Sequence, residues 1–114
     1  METGFAVVLT TVSGQQEASS LALKLVQQKL AACVQMLPIN SVYSWEGVIQ
    51  QDPEVLLLVK THASRFAEIE SFIRANHSYS VPEIIQLSIE QGSAGYLRWL
   101  ESLVLVNGQS GQTV

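Results

Sequence analysis

Apolar and polar positions alternate along this chain with a period that changes from block to block. Phe5, Ala6, Val7, Val8 and Leu9 form an unbroken apolar run ahead of Thr10 and Thr11. A β-branched run of that kind predicts a strand buried on both faces. Ser13 stands three residues before Gln16, the spacing of a capping box, and Ala18, Leu21, Ala22, Leu25 and Val26 then recur at helical intervals. Gln15, Glu17, Ser19, Lys24 and Gln27 fall on the other side, so the segment predicts an amphipathic helix.

From Ala31 to Trp45 the pattern loosens. Ile39, Val42, Tyr43 and Trp45 are strand formers, and Pro38 suits an edge strand or a bulge. Glu46 and Gly47 supply a turn, and the chain returns from Val48 to Thr61 through a polar patch at 50–53 into Val55, Leu56, Leu57, Leu58 and Val59. The return strand is therefore also apolar on both faces. Ser64 is placed to cap a second helix with Phe66, Ile69, Phe72 and Ile73 as its stripe, ending near Asn76, whose tolerance of left-handed backbone suits a terminus. Pro82 opens a strand in which Ile85, Leu87 and Ile89 alternate with Gln86, Ser88 and Glu90, one side dry and the other wet. Ser93 starts a third helix with Tyr96, Leu97, Leu100, Leu103 and Val104 on one side, stopped by Asn107 and Gly108.

The order β-α-β-β-α-β plus a terminal helix predicts an α+β fold, a ferredoxin-like sandwich with a four-stranded antiparallel sheet. The first and third strands belong in the middle of that sheet, with both main helices on one face. A single domain is expected over residues 1–106, followed by a polar, flexible tail over 107–114.

Helices on one face leave the other face bare. Either Leu56 and Leu58, or Val55, Leu57 and Val59, point away from the helices, and both sets are apolar. With the far-side residues of the first strand, burying that row is worth about 6–15 kcal/mol as an upper bound, comparable with a whole domain's stability. Two arrangements cover it. The third helix folds across the face of a monomer, or copies of the chain meet there in a closed homo-oligomer, the long hairpin joining a neighbour's edge.

Composition narrows the function. Six Lys and Arg against ten Asp and Glu give a net charge of −4, which offers no surface for nucleic acid. The lone Cys33 rules out an intrachain disulfide and suits a reducing compartment, so a cytoplasmic location is expected. The residues after Met1 lack the positive charge of a signal peptide, and the apolar runs are too short to span a bilayer, so no membrane association is expected.

Few residues offer chemistry. Cys33 is a soft ligand for copper or zinc, or a nucleophile, but its neighbours are apolar, as for a buried inert thiol. His77 lies in a polar loop with Tyr79 and Glu83, either a corner for a metal or small ligand or a ring bonded to the helix's last carbonyls. His62 reads as a surface or capping residue. Tyr43 and Trp45 share one side of a strand and, with Lys60, suit a small anionic ligand or an interface between copies. Gly92 and Gly95 lack the Lys and Ser/Thr of a phosphate loop, no paired-ligand spacing occurs, and no base neighbours Cys33, so no enzyme is expected.

Leu9-Thr10-Thr11, Lys29 to Val34, Tyr43 to Gly47, Glu54 to Thr61, His77 through Val81-Pro82-Glu83-Ile84, and Tyr96-Leu97-Arg98-Trp99-Leu100 follow one another along the chain. In that order these six segments resemble the CutA divalent-cation-tolerance family. The resemblance runs from about Phe5 to Leu103. It implies a ferredoxin-like homotrimer with exchanged hairpins, similar to PII-type signalling trimers, and a non-enzymatic role in response to copper and other divalent metals. Where copper ligands are assigned in a bacterial member they are one Cys and two adjacent His, and the matching positions here are Thr10, Asn76 and His77. No cofactor is required on this reading. Metal is held weakly at most, by His77 with Cys33. The alternative implied is a PII-like module binding a small anion in clefts between subunits lined by Tyr43, Trp45, Lys60, His77 and Glu83.

Overall fold

In the computed structural model, residues 3–105 are described; the expected helix stop at Asn107 and Gly108 and the tail over 107–114 lie outside them. The elements follow the predicted order: β1 (Phe5–Val12), α1 (Gln15–Gln27), β2 (Cys33–Trp45), β3 (Val48–His62), α2 (Phe66–Ala75), β4 (Ile85–Ser88) and α3 (Ala94–Val104). The sheet order is β2-β3-β1-β4, every neighbouring pair antiparallel. The two strands that are apolar on both faces, β1 and β3, are the central ones.

Register decides which residues face the helices. Val8 pairs with Val59 and Val12 with Val55, and these, with Leu57, are buried against Leu21, Leu25, Ile69 and Ile73 of α1 and α2. The opposite face carries Leu9 paired with Leu58, and Leu56 flanked by Thr11 and Leu37. Of the two rows open to the sequence, Leu56 and Leu58 therefore point away from the helices.

α3 crosses that second face at one end only. Its Leu100 and Val104 are fully buried with Ala32 and Phe5, whereas Leu37 stays 53% exposed, Ile85 47% and Leu87 50%. The covering helix expected of a monomer is thus present but short of the middle of the sheet. β4 sharpens the point. It spans four residues rather than the whole stretch from Pro82, and its apolar side does not meet the helix layer. Ile85 and Leu87 lie beside Leu9 and Val7 on the uncovered face. Gln86 sits opposite Val8 under the helices, where its Oε1 is buried without a hydrogen-bond partner among the described residues.

Helix ends depart from the expected caps. Gly14, not Ser13, is the N-cap of α1, because the Ser13 hydroxyl donates to Glu17 instead of receiving a backbone N–H. Ser64 lies in a 3-10 turn over Ala63–Arg65 ahead of α2, and His62 is the capping side chain, its Nδ1 accepting from the Ser64 N–H at 3.1 Å. Asn76 closes α2 without left-handed backbone, donating its amide to the Phe72 carbonyl. The left-handed position falls on Lys29 at φ 60°, where the Leu30 N–H returns to Leu25 and the Lys29 N–H to Val26, a Schellman closure of α1.

The β2–β3 ladder continues past the last β1 pair, Val12 with Val55, to Trp45 opposite Val48. Glu46 (φ 50°) and Gly47 (φ 81°) close it with positive φ at both turn positions, as a type I′ turn needs. The hairpin projects accordingly, and the chain measures 50 × 27 × 21 Å.

Candidate functional site

At the base of this hairpin, on the sheet face away from α1 and α2, lies a cleft of about 590 Å³. Strand alternation puts Tyr43 and Trp45 on the same side of β2, and both line it, with Glu54 of β3. The far wall is the loop from α2 to β4, which contributes Tyr79 and Glu83.

That loop is tied down by a buried imidazole. The His77 side chain is fully buried, its Nε2 2.7 Å from the Thr11 carbonyl and its Nδ1 accepting from the Tyr79 N–H at 3.0 Å. Both bonds are made together by the neutral ring protonated at Nε2. His77 thus binds the end of β1 and the following turn, not the last carbonyls of α2.

The Tyr79 hydroxyl donates to Glu54 Oε2 at 2.7 Å. Burial, then this bond and the Glu54 charge, push the Tyr79 phenol far up, so it remains a donor throughout the physiological range. On the hairpin the Tyr43 hydroxyl donates to Asp52 at 2.7 Å, and that bond raises its pKa as well.

Glu17 anchors the same loop to the first turn of α1. Its carboxylate accepts from the Ser78 N–H and hydroxyl, each at 3.0 Å, and from Ser13 at 3.1 Å. Burial by itself raises the Glu17 pKa, but these hydrogen bonds outweigh it and hold the carboxyl below its usual 4.5. A depressed carboxyl pKa stabilises the fold fully above the unfolded value, and that contribution is lost as pH falls through the lower folded value. The urea midpoint of the native chain should therefore exceed that of Glu17→Gln by most near neutrality. The gap should close between about pH 5 and pH 3; a gap that is constant with pH would contradict the assignment.

Within one chain the binding set predicted for clefts between subunits is not gathered in one place. Tyr43, Trp45 and Glu83 meet at the cleft. His77 lies behind it, braced against the backbone. Lys60 is on the same sheet face as Glu54 but six positions along β3, roughly 20 Å away, with its Nζ 6.0 Å from the Tyr96 ring centre on α3. Cys33, half-buried, is in register with Lys60, well removed from His77. Of the positions matching the bacterial copper ligands, Thr10 is buried on the helix side with its hydroxyl unpartnered among the described residues, and Asn76 caps α2. Among the described residues no three His, Cys, Asp or Glu side chains group closely enough to hold a metal ion. The predicted set omits Glu54 and Tyr79. Glu54 is two residues before Leu56 and so shares its face, a signal that strand parity carries.

A family model described as CutA1 divalent ion tolerance protein matches residues 6–103. The chain belongs to this family. Its relatives include the chloroplastic protein CutA of Arabidopsis thaliana, 47% identical over 97 residues, 84% of this chain and 53% of the plant protein. Divalent-cation tolerance protein CutA of Thermus thermophilus is 44% identical over 95 residues, 82% of this chain and 92% of that protein. The chain thus spans about half the length of its plant relative and nearly all of the bacterial one. The solved structure of the periplasmic divalent cation tolerance protein CutA from Archaeoglobus fulgidus superposes with a TM-score of 0.86 at 37% identity, covering 88% of this chain and 98% of that one. The ferredoxin-like sheet with its terminal helix is therefore the CutA1 fold. No helix among the described residues is long and apolar enough to cross a membrane.

Proposed function

We propose that this CutA1 chain is a non-enzymatic homotrimer that serves in the cytoplasm in tolerance of divalent cations, copper among them, and holds metal weakly at most. The placement of its candidate ligands carries the reading. Both His77 nitrogens are spent on backbone groups, so metal must displace a buried hydrogen bond to reach either one. Cys33 pairs with Lys60, four positions along β3 from the partner of Thr11, or roughly 13 Å of strand, so one chain does not bring thiol and imidazole together.

The uncovered sheet face supports assembly. Leu37, Ile85 and Leu87 stay about half exposed beside Leu9, Leu56 and Leu58, while Gln86 takes the helix side, so β4 spends its apolar residues on a surface that only another copy would dry. Closed rotational symmetry lets identical copies cover one another there. The single free Cys33 suits a reducing compartment.

Calorimetric titration of the reduced protein with copper tests the metal clause. The expected isotherm is shallow and unsaturated through the micromolar range, for the native chain and for His77→Ala alike. Saturation at micromolar copper would overturn it.

A further inference from the structure

We propose that Met36 is a site of oxidation by hydrogen peroxide and related small peroxides, and that Gln15 and Ser19 of α1 receive the sulfoxide oxygen. Met36 pairs with Leu57 on β3, so its side chain leaves β2 on the side of the sheet that carries α1. Copies that meet across the opposite face leave that side open. Leu57 is fully buried there, whereas Met36, on the edge strand, stays 38% exposed and within reach of a small solute.

Hydrogen bonding singles out the sulfur. Gln15 Nε2 lies 3.5 Å from Met36 Sδ and Ser19 Oγ 3.9 Å from it, and the Gln15 amide also donates to that Oγ at 3.2 Å. Both residues come from the polar side of the amphipathic helix, one turn apart. A thioether is a weak acceptor, so two polar donors converging on it are poorly matched as they stand. A sulfoxide oxygen is a strong one. An oxygen on that sulfur, taking hydrogen bonds of about 2.9 Å and bent at the oxygen, leaves donor and sulfur roughly 3.5–4 Å apart, which is the spacing already present.

The reaction balances with peroxide as its only co-reactant. A sulfur lone pair attacks one peroxide oxygen, the O–O bond breaks, and the departing oxygen takes the proton of the transferred one and leaves as water. Sulfur is oxidised by two electrons and the peroxide is reduced by two. Negative charge builds on the transferred oxygen, and donors already aimed at that side of the sulfur stabilise it as it forms. They also make the two sulfur lone pairs unequal, so one sulfoxide epimer should dominate. A methionine that is merely exposed has neither property.

Peptide mapping by mass spectrometry after treatment with dilute hydrogen peroxide tests the proposal, since it separates Met36 from Met1, the one other methionine, and from Cys33. Met36 should gain one oxygen about fivefold faster than N-acetylmethionine amide under the same conditions. On the digested peptide, one of the two stereospecific methionine sulfoxide reductases should remove that oxygen and the other should not. The oxidised chain should melt no lower than the reduced one, with Met36→Leu treated alike to correct for oxidation elsewhere. Gln15→Ala combined with Ser19→Ala, at two exposed positions, should oxidise at the rate of the free amide, give both epimers and melt lower once oxidised. A native rate at or below that of the amide, repair shared equally by the two reductases, a lower melting temperature on oxidation of Met36, or a double variant that matches the native chain in rate and epimer would each overturn the proposal.

Discussion

Leu58→Asp is expected to break the assembled protein into single chains and to lower its melting temperature by more than about 10 °C. Leu58 stands opposite Leu9 on β1, next to Leu56, on the sheet face that α1 and α2 leave uncovered. It takes no part in the buried cluster between sheet and helices, so the substitution leaves that core intact. In a single chain a carboxylate there is partly wet and costs little. In an assembly that closes over this face, each copy must bury an unpaired charge, at several kcal/mol apiece. Sedimentation of the variant should give the mass of one chain where the native protein, as the proposed trimer, should give the mass of three. Leu23→Asp, at a position 59% exposed on α1, serves as the control and should change neither mass nor melting. A variant that sediments and melts like the native protein would show that this face is not where copies meet.

The same face explains how far the sequence could be read. Unbroken apolar runs at β1 and β3 marked the central strands because only strands covered on both sides tolerate them. They could not say which row faced the helices, since Leu56 and Leu58 are as apolar as Val55, Leu57 and Val59. The answer came from the register, which sets Val8 and Val12 against Val59 and Val55 in the core under the helices; β4 runs against its own alternation, with Gln86 on the helix side and Ile85 and Leu87 outward. Lys60, read from the sequence only as lying near the end of its strand, shares a sheet face with Tyr43 and Trp45, and within one chain the antiparallel register sets them far apart along the sheet. The caps failed for a related reason. Ser13 and Ser64 have the right residue type one or two positions from a helix start, yet Glu17 and His62 bind them first, and those partners depend on how the loop at Ser78 and the end of β3 are brought in.

His77→Ala should cost about 2–4 kcal/mol of folding stability in protein stripped of metal by a chelator. The imidazole is fully buried and joins two elements that share no ladder at that point, the Thr11 carbonyl at the end of β1 and the Tyr79 N–H in the loop before β4. Alanine leaves both backbone groups without a partner and opens a void where the ring stood, so each part of the loss has a separate cause. The urea midpoint reports the total. Hydrogen exchange locates it: the Tyr79 amide should lose protection first, and the Ser78 amide, held by Glu17, should follow as the loop loosens. His77→Gln, which keeps a donor and an acceptor on one side chain, should recover part of the loss. A metal ligand with no structural task gives the opposite pattern, with chelated His77→Ala as stable as the native chain and a difference that emerges only when copper is added. Equal stability under chelation would therefore remove the bracing role assigned to His77, and with it the reason for expecting its nitrogens to be closed to metal.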